Sequence, residues 1–250
     1  MTGERARGER RGALWRLASL LLSCTIPLVL LSSAIRIEMN SLGLYTRGFR
    51  IYDVSRVTGL GDEILQQAAA RLIHYFNFLA DTPQMLVGHA TGAQFELYHD
   101  YELIHLADVR ILFAANSLMQ AVSLLIILVL VSAGMAHGRR LETLTGLRRG
   151  ALGTLALLVA TGLLFLLDFG RMFTLFHVVA FDNPFWLLDP LTDYLVMLFP
   201  FGFWQDMFLF AGASTGVAAI ILYVLTTRGL RVIHSASTND SPSDAKKRDV

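Results

Sequence analysis

The sequence predicts an all-α membrane protein: a four-helix transmembrane bundle with a small extracellular α/β cap. Three observations predict it. Hydrophobic residues make up 54% of the 250, charged residues only 16%, and mean hydropathy is +0.52, a balance outside the usual range of soluble domains. Four runs of 17 to 25 residues carry no charge, at 17–35, 111–135, 151–167 and 207–225. At 1.5 Å per residue each run matches the thickness of a hydrocarbon core. Finally, fourteen Lys and Arg residues fall in the segments 1–16, 136–150 and 226–250, against seven in 36–110 and 168–206. The positive-inside rule then places both termini and the 136–150 loop in the cytoplasm, and the other two segments outside.

Each element has its own signal. Residues 1–16 form a basic tail. The run at 17–35 is read as a retained first span, because it continues for eleven residues past Cys24 and is too long for the core of a cleaved signal peptide. The loop 36–110 is too patterned for a linker. Phe49–Val54 and Phe95–His99 show period-two character suited to short strands. Gly61-Asp62-Glu63 marks a helix start, followed by Ile64, Ala68, Leu72, Phe76 and Leu79 at helical spacing. His74 lies on that helix and reads as an interfacial side chain.

After the second and third spans comes a stretch at 168–206 with eleven aromatic residues, five aspartates, His177 and the single cation Arg171. It is too charged for a span and too apolar for a solvated loop. A segment at the membrane–water interface fits both facts, because aromatic rings settle at headgroup level. Within it, Asp189-Pro190 predicts a helix start and Pro200 a stop, giving a short helix over 190–199. In the fourth span Gly212 and Gly216, four apart, predict a close helix contact. The Ser/Asp/Lys-rich end of the 226–250 tail reads as disordered.

Several function classes drop out. A net charge of +1 excludes a strongly basic nucleic-acid binder, and a lone cysteine excludes a disulfide framework and a Cys-rich zinc site. No phosphate-cradling glycine loop, Gly-x-Ser-x-Gly elbow or His-Glu-x-x-His appears. What remains is carried by two histidines. If one helix enters the second span, Glu102, His105, Asp108, Asn116 and Gln120 fall within an arc of about 120°, and polar groups at that depth face a bundle interior or a wet cavity. Asn116 and Gln120 serve equally well as ties between helices. His105 and His177 both lie at the outer rim, with Asp108 and Asp182 nearby. Two imidazoles can exchange protons near neutral pH as base and acid. The runner-up reading is a non-enzymatic membrane scaffold or sensor, and the third is a metal-dependent lipid hydrolase with the same four side chains as candidate ligands.

These residues also carry a resemblance. Glu102-Leu103-Ile104-His105-Leu106-Ala107-Asp108-Val109-Arg110 resembles a His-hydrophobic-x-Asp-Val-basic motif. Phe176-His177, Phe181-x-Asn183-x-x-Trp186-x-Leu188-Asp189-Pro190-x-x-Asp193 and Pro200-x-x-Phe203 resemble a second motif of the same family. The family is that of the bacterial lipoprotein intramolecular transacylases. The resemblance implies a bacterial inner-membrane enzyme with two catalytic histidines, His105 and His177, at the cap–membrane boundary. It implies acyl transfer from the sn-2 position of a diacylated lipoprotein to the amino group of its N-terminal cysteine, with membrane lipid as surroundings and no cofactor or metal. Glu102, Asp108, Phe176, Phe181, Asp182, Asn183, Trp186, Asp189 and Asp193 are the expected orienting or substrate-positioning residues, with Asn183 a donor to the oxyanion. Ala180, Pro184 and Phe201 depart from the pattern, standing where an aromatic, a polar residue and an acid are expected. Nothing in the sequence sets an oligomeric state.

Overall fold

The computed structural model describes residues 2–88 and 94–239. In chain order it contains α1 (Thr2–Met39), α2 (Leu42–Ile51), α3 (Val54–Thr58), α4 (Asp62–Phe76), β1 (Leu86–Gly88), β2 (Gln94–Glu96), α5 (Asp100–Ala136), α6 (Arg140–Leu167), α7 (Phe169–Ala180), α8 (Tyr194–Leu198) and α9 (Phe201–Asn239). The strands pair antiparallel, with Val87 opposite Phe95. Helices α1, α5, α6 and α9 are long and apolar enough to cross a membrane. They leave large apolar side chains such as Leu118, Leu128, Val159 and Leu166 exposed, surface that lipid covers without cost. The chain is an all-α membrane protein.

The long helices outrun their apolar runs, because backbone hydrogen bonding propagates through any good helix former while hydropathy only marks the lipid-facing part. The 136–150 loop therefore shrinks to a turn at His137–Arg139. There Gly138 takes φ +69°, and the Arg139 N–H closes on the Gly134 carbonyl at 2.7 Å, a helix stop that favours glycine. The tail does not turn irregular at residue 226 as expected. Helix α9 continues to Asn239, with Leu230 buried, and residues 240–250 lie outside the described residues.

Three further expectations give way. Phe49–Val54 is not a strand, because Tyr45, Gly48 and Phe49 bury one helical face of α2. The helix expected over 190–199 is only Tyr194–Leu198, with Asp193 at its N-cap. Asp189-Pro190 instead makes a turn in which Asp189 accepts from the backbone of Leu191 and Thr192. Of the second strand expected, Gln94–Glu96 is extended, and the chain bends after it to enter α5.

The chain forms two compact units. The first takes in residues up to Leu31, Gln120–Val159 and the chain from Ser214. Helices α1 and α6 approach closely within it: a Cβ on Gly146 would lie 2.7 Å from the Ser19 carbonyl and one on Gly150 would lie 2.6 Å from Ile26. Ser23 donates to the Gly146 carbonyl at 3.0 Å. This is the small-residue spacing that brings membrane helices together. Gly212, by contrast, meets nothing within 4 Å and Gly216 only a leucine methyl at 3.7 Å, so the contact predicted there is not made.

The second unit takes in Ser32–Met119 and Ala160–Ala213. Its core is aromatic and aliphatic, built on Tyr45, Phe49, Leu65, Leu72, Phe76, Leu198, Phe199 and Phe203. Gly48 and Gly202 let α2 lie against the start of α9. A Cβ on either would sit 2.5 Å from an aromatic ring, of Phe203 and Tyr52 respectively. Tyr52 donates to Asp206 at 2.9 Å across the same contact. Asn116 donates to the Ser32 carbonyl at 3.1 Å, so it ties α5 to α1.

Candidate active site

The site is assembled from the start of α5, the last turns of α7 and the chain that follows α7. Helix α5 begins with one half of a capping box: Glu102, three residues after His99, accepts from the His99 backbone N–H at 2.7 Å. That start sets Glu102, His105 and Asp108 along one face. Helix α7 begins at Asp168, whose carboxylate accepts from the Arg171 N–H at 3.0 Å. Two turns later His177 occupies the last turn of α7.

The two imidazoles meet. Their ring centroids are 6.1 Å apart, and each histidine is 8% exposed. Phe181 stands edge-on to His105 at 4.8 Å and lies 5.5 Å from His177. Phe173, Phe176 and Trp186 pack on His177 at 4.2, 5.2 and 5.0 Å. The histidines border a cavity of about 450 Å³ whose walls include Met39, Leu106, Phe173, Phe199 and Trp204. Phe201, where the motif suggested an acid, also lines this cavity, packed edge-on against Phe169.

The two rings are held differently. His177 Nδ1 donates to the Phe173 carbonyl at 2.7 Å. A carbonyl can only accept, so Nδ1 carries the proton and Nε2 is the bare nitrogen of the neutral ring. Burial lowers the His177 pKa below the ordinary histidine value, and the Phe173 carbonyl offsets this only in part. His105 Nδ1 is buried with no hydrogen-bond partner among the described residues, a state that costs about 1–3 kcal/mol.

The aspartates expected to orient the imidazoles make no hydrogen bond to them among the described residues. Asp108 accepts from the Asn183 side chain at 2.8 Å, which also commits one of the two Asn183 amide protons expected for the oxyanion. Asp182 is exposed. Nor do His105, His177, Asp108 and Asp182 converge as metal ligands. Among the described residues the one cluster with that geometry is His99, Glu102 and Asp193, whose ligand atoms lie within 4.8 Å of one another. Its carboxylate oxygens are already occupied. Glu102 accepts from the His99 N–H, His99 Nδ1 at 3.0 Å and the Leu195 N–H at 2.7 Å. Asp193 accepts from Tyr101 at 2.6 Å, Thr192 at 2.9 Å and the Asp189 N–H at 2.7 Å. Burial acts to raise the Asp193 pKa, but these donors outweigh it and hold the carboxyl below its usual value. The cluster is a hydrogen-bonded pin between the start of α5 and α8. His99 and Tyr101 were missed in the sequence. The only signal for them there was the spacing of a cap residue and a glutamate three positions on.

A sequence profile of the family described as lipoprotein intramolecular transacylase Lit matches residues 20–204. The search of curated proteins finds no match. Among solved structures, the lipoprotein intramolecular transacylase Lit of Bacillus cereus superposes with a TM-score of 0.75 at 20% identity, covering 90% of this chain and 99% of that one. A variant of that protein with a histidine replaced by arginine superposes at 0.75 and 18% identity, covering 94% and 99%. A variant with alanine there gives 0.74 and 17%, covering 92% and 99%. At these identities the superpositions establish a common fold, and with the profile match over most of its length the chain belongs to the lipoprotein intramolecular transacylase (Lit) family.

Proposed function

We propose that this Lit-family transacylase moves the sn-2 acyl chain of a diacylglyceryl lipoprotein onto the α-amino group of its N-terminal cysteine, with His105 and His177 carrying the protons. The observation that carries this reading is the pair of buried imidazoles, 6.1 Å apart, beside an apolar cavity of about 450 Å³. An acyl chain suits such walls, and no nucleic acid does. The amine nitrogen attacks the ester carbonyl, the N–C bond forms and the bond to the glyceryl oxygen breaks. One proton leaves nitrogen and one reaches the departing oxygen, so the transfer consumes none. His177 suits the first task, because its bare Nε2 can accept and its lowered pKa keeps the ring neutral. His105 serves the departing oxygen. The rings of Phe181, Phe176 and Trp186 limit water around the pair, favouring transfer over hydrolysis. Holding amine and ester together lowers the entropy cost of their meeting.

The cation asymmetry supports an orientation with both termini in the cytoplasm and the histidines at the outer leaflet of the cytoplasmic membrane, the crossings being 17–35, 111–135, 151–167 and 207–225. The test is mass spectrometry of lipoprotein N-termini in cells with and without the protein. A free glyceryl hydroxyl paired with an N-acylated cysteine is the expected product. Unchanged diacylglyceryl N-termini would overturn the proposal.

A further inference from the structure

A second cavity, of about 360 Å³, lies in the unit that holds the end of α5. It is lined by Arg11, Leu14, Trp15 and Ala18 of α1, by Leu130, Ala133 and His137 at the end of α5, and by Arg139 in the turn that follows. The α1 residues follow helical spacing, as do those of α5, so the cavity is a groove between two membrane-crossing helices. Ala18 and Ala133 supply little side chain to fill it. Trp15 and His137 meet at its wall, with ring centroids 5.7 Å apart. His137 is held there by its own helix, through Nδ1 to the Ala133 carbonyl at 2.8 Å.

The groove is polar at one end and apolar along its length. Arg11 is exposed, with no ion-pair partner among the described residues. Arg139 is paired with Glu142 at 3.0 Å. Two guanidiniums and one carboxylate leave a net charge of +1 at the polar end, enough for one phosphate diester. The chain of leucines exposed along α1 from Leu14 to Leu28, with Leu125 and Leu128 on α5, offers lipid-facing surface beyond it. An occupant must therefore join an anion to hydrocarbon.

We propose that this groove binds an anionic phospholipid with an uncharged headgroup alcohol, its phosphate held between Arg11 and Arg139, Trp15 at the glycerol level and its acyl chains along the leucines of α1 and α5. Basic pockets between transmembrane helices bind anionic headgroups in this way. Guanidinium is the side chain best matched to phosphate oxygens, and tryptophan favours the headgroup boundary. A choline headgroup would bring its own cation to a site that is already positive, and so binds less well. The inference is independent of the acyl-transfer reading, since none of its residues borders the histidine site.

The test uses the full-length protein, purified and delipidated in detergent, then incubated with phosphatidylglycerol or phosphatidylcholine and examined by native mass spectrometry. Wild-type protein should retain phosphatidylglycerol in preference to phosphatidylcholine, and Arg11→Gln/Arg139→Gln should lose that retention by about tenfold or more. Glu142→Gln, which frees Arg139, should raise it. This second variant keeps all the cations, so it tests the site even if the double variant fails to insert. Inorganic phosphate should not displace the bound lipid. Equal retention of both lipids by wild type, unchanged retention in the folded double variant, no gain in Glu142→Gln, or displacement by inorganic phosphate would each overturn the proposal.

Discussion

Replacing Glu102 by alanine should destabilise the second unit and, through it, the histidine site. The carboxylate is fully buried and accepts from two backbone N–H groups, of His99 and Leu195, at 2.7 Å each. Alanine leaves both donors without a partner in a place that water reaches poorly. At about 1–3 kcal/mol per unsatisfied buried group, the loss is roughly 2–6 kcal/mol. Leu195 lies at the start of α8 and lines the cavity beside His105, so acyl transfer should fall along with stability. Glutamine keeps one acceptor oxygen and turns an N–H₂ toward the other donor, so Glu102→Gln should lose about half as much. The assay is thermal unfolding of the purified protein in detergent, read beside lyso-lipoprotein formation by mass spectrometry. A Glu102→Ala protein within about 0.5 kcal/mol of wild type, the range of ordinary surface changes, would refute the reasoning. So would a glutamine variant less stable than the alanine one.

Four further outcomes are expected. His105→Ala and His177→Ala should each lower lyso-lipoprotein formation by about 10²–10⁴-fold with the protein still folded in the membrane; exposed His74 is the control and should stay active as alanine, whereas the other candidate control, His89, lies outside the described residues. Because burial depresses the His177 pKa, its neutral form persists as pH falls past the ordinary histidine value of about 6.5; activity should hold there and fall only at lower pH, and the stability that rests on the neutral ring should likewise be complete above that value and lost as pH falls through the depressed one, so a pH–rate profile with its acid limb at or above about 6.5 would contradict the assignment. Chelator treatment should leave acyl transfer intact, since the carboxylates of the His99–Glu102–Asp193 cluster already serve as acceptors, and loss with EDTA reversed by zinc would favour a metal enzyme. Reporter fusions at residue 143 and at the C-terminus should read cytoplasmic and those at residues 60 and 188 exoplasmic, a pattern that a cytoplasmic signal at residue 60 would reverse.

Features written in short-range chemistry were legible in the sequence. Uncharged runs of 17 to 25 residues marked four membrane helices, because spanning a hydrocarbon core needs a continuous apolar segment and nothing more distant. Gly61-Asp62 marked the start of α4 for a similarly local reason. Hydropathy did not mark where helices end: α9 runs to Asn239 and α6 starts at Arg140 because backbone hydrogen bonding continues through polar helix formers. Pairings between distant elements came from the tertiary structure. It brought His105 to His177 across 72 positions of sequence and Asp108 to Asn183 across 75. It also gave the Asp108 carboxylate an amide donor, Asn183, that no local spacing announces. Gly146 and Gly150 rather than Gly212 and Gly216 became the close helix contact, although both pairs have the same spacing, because α6 faces Ser19, Ser23 and Ile26 there while Gly212 faces open space. A side chain's type and spacing limit what it can bind. Which partner it meets depends on the packing of elements far apart in the chain, and no local pattern records that.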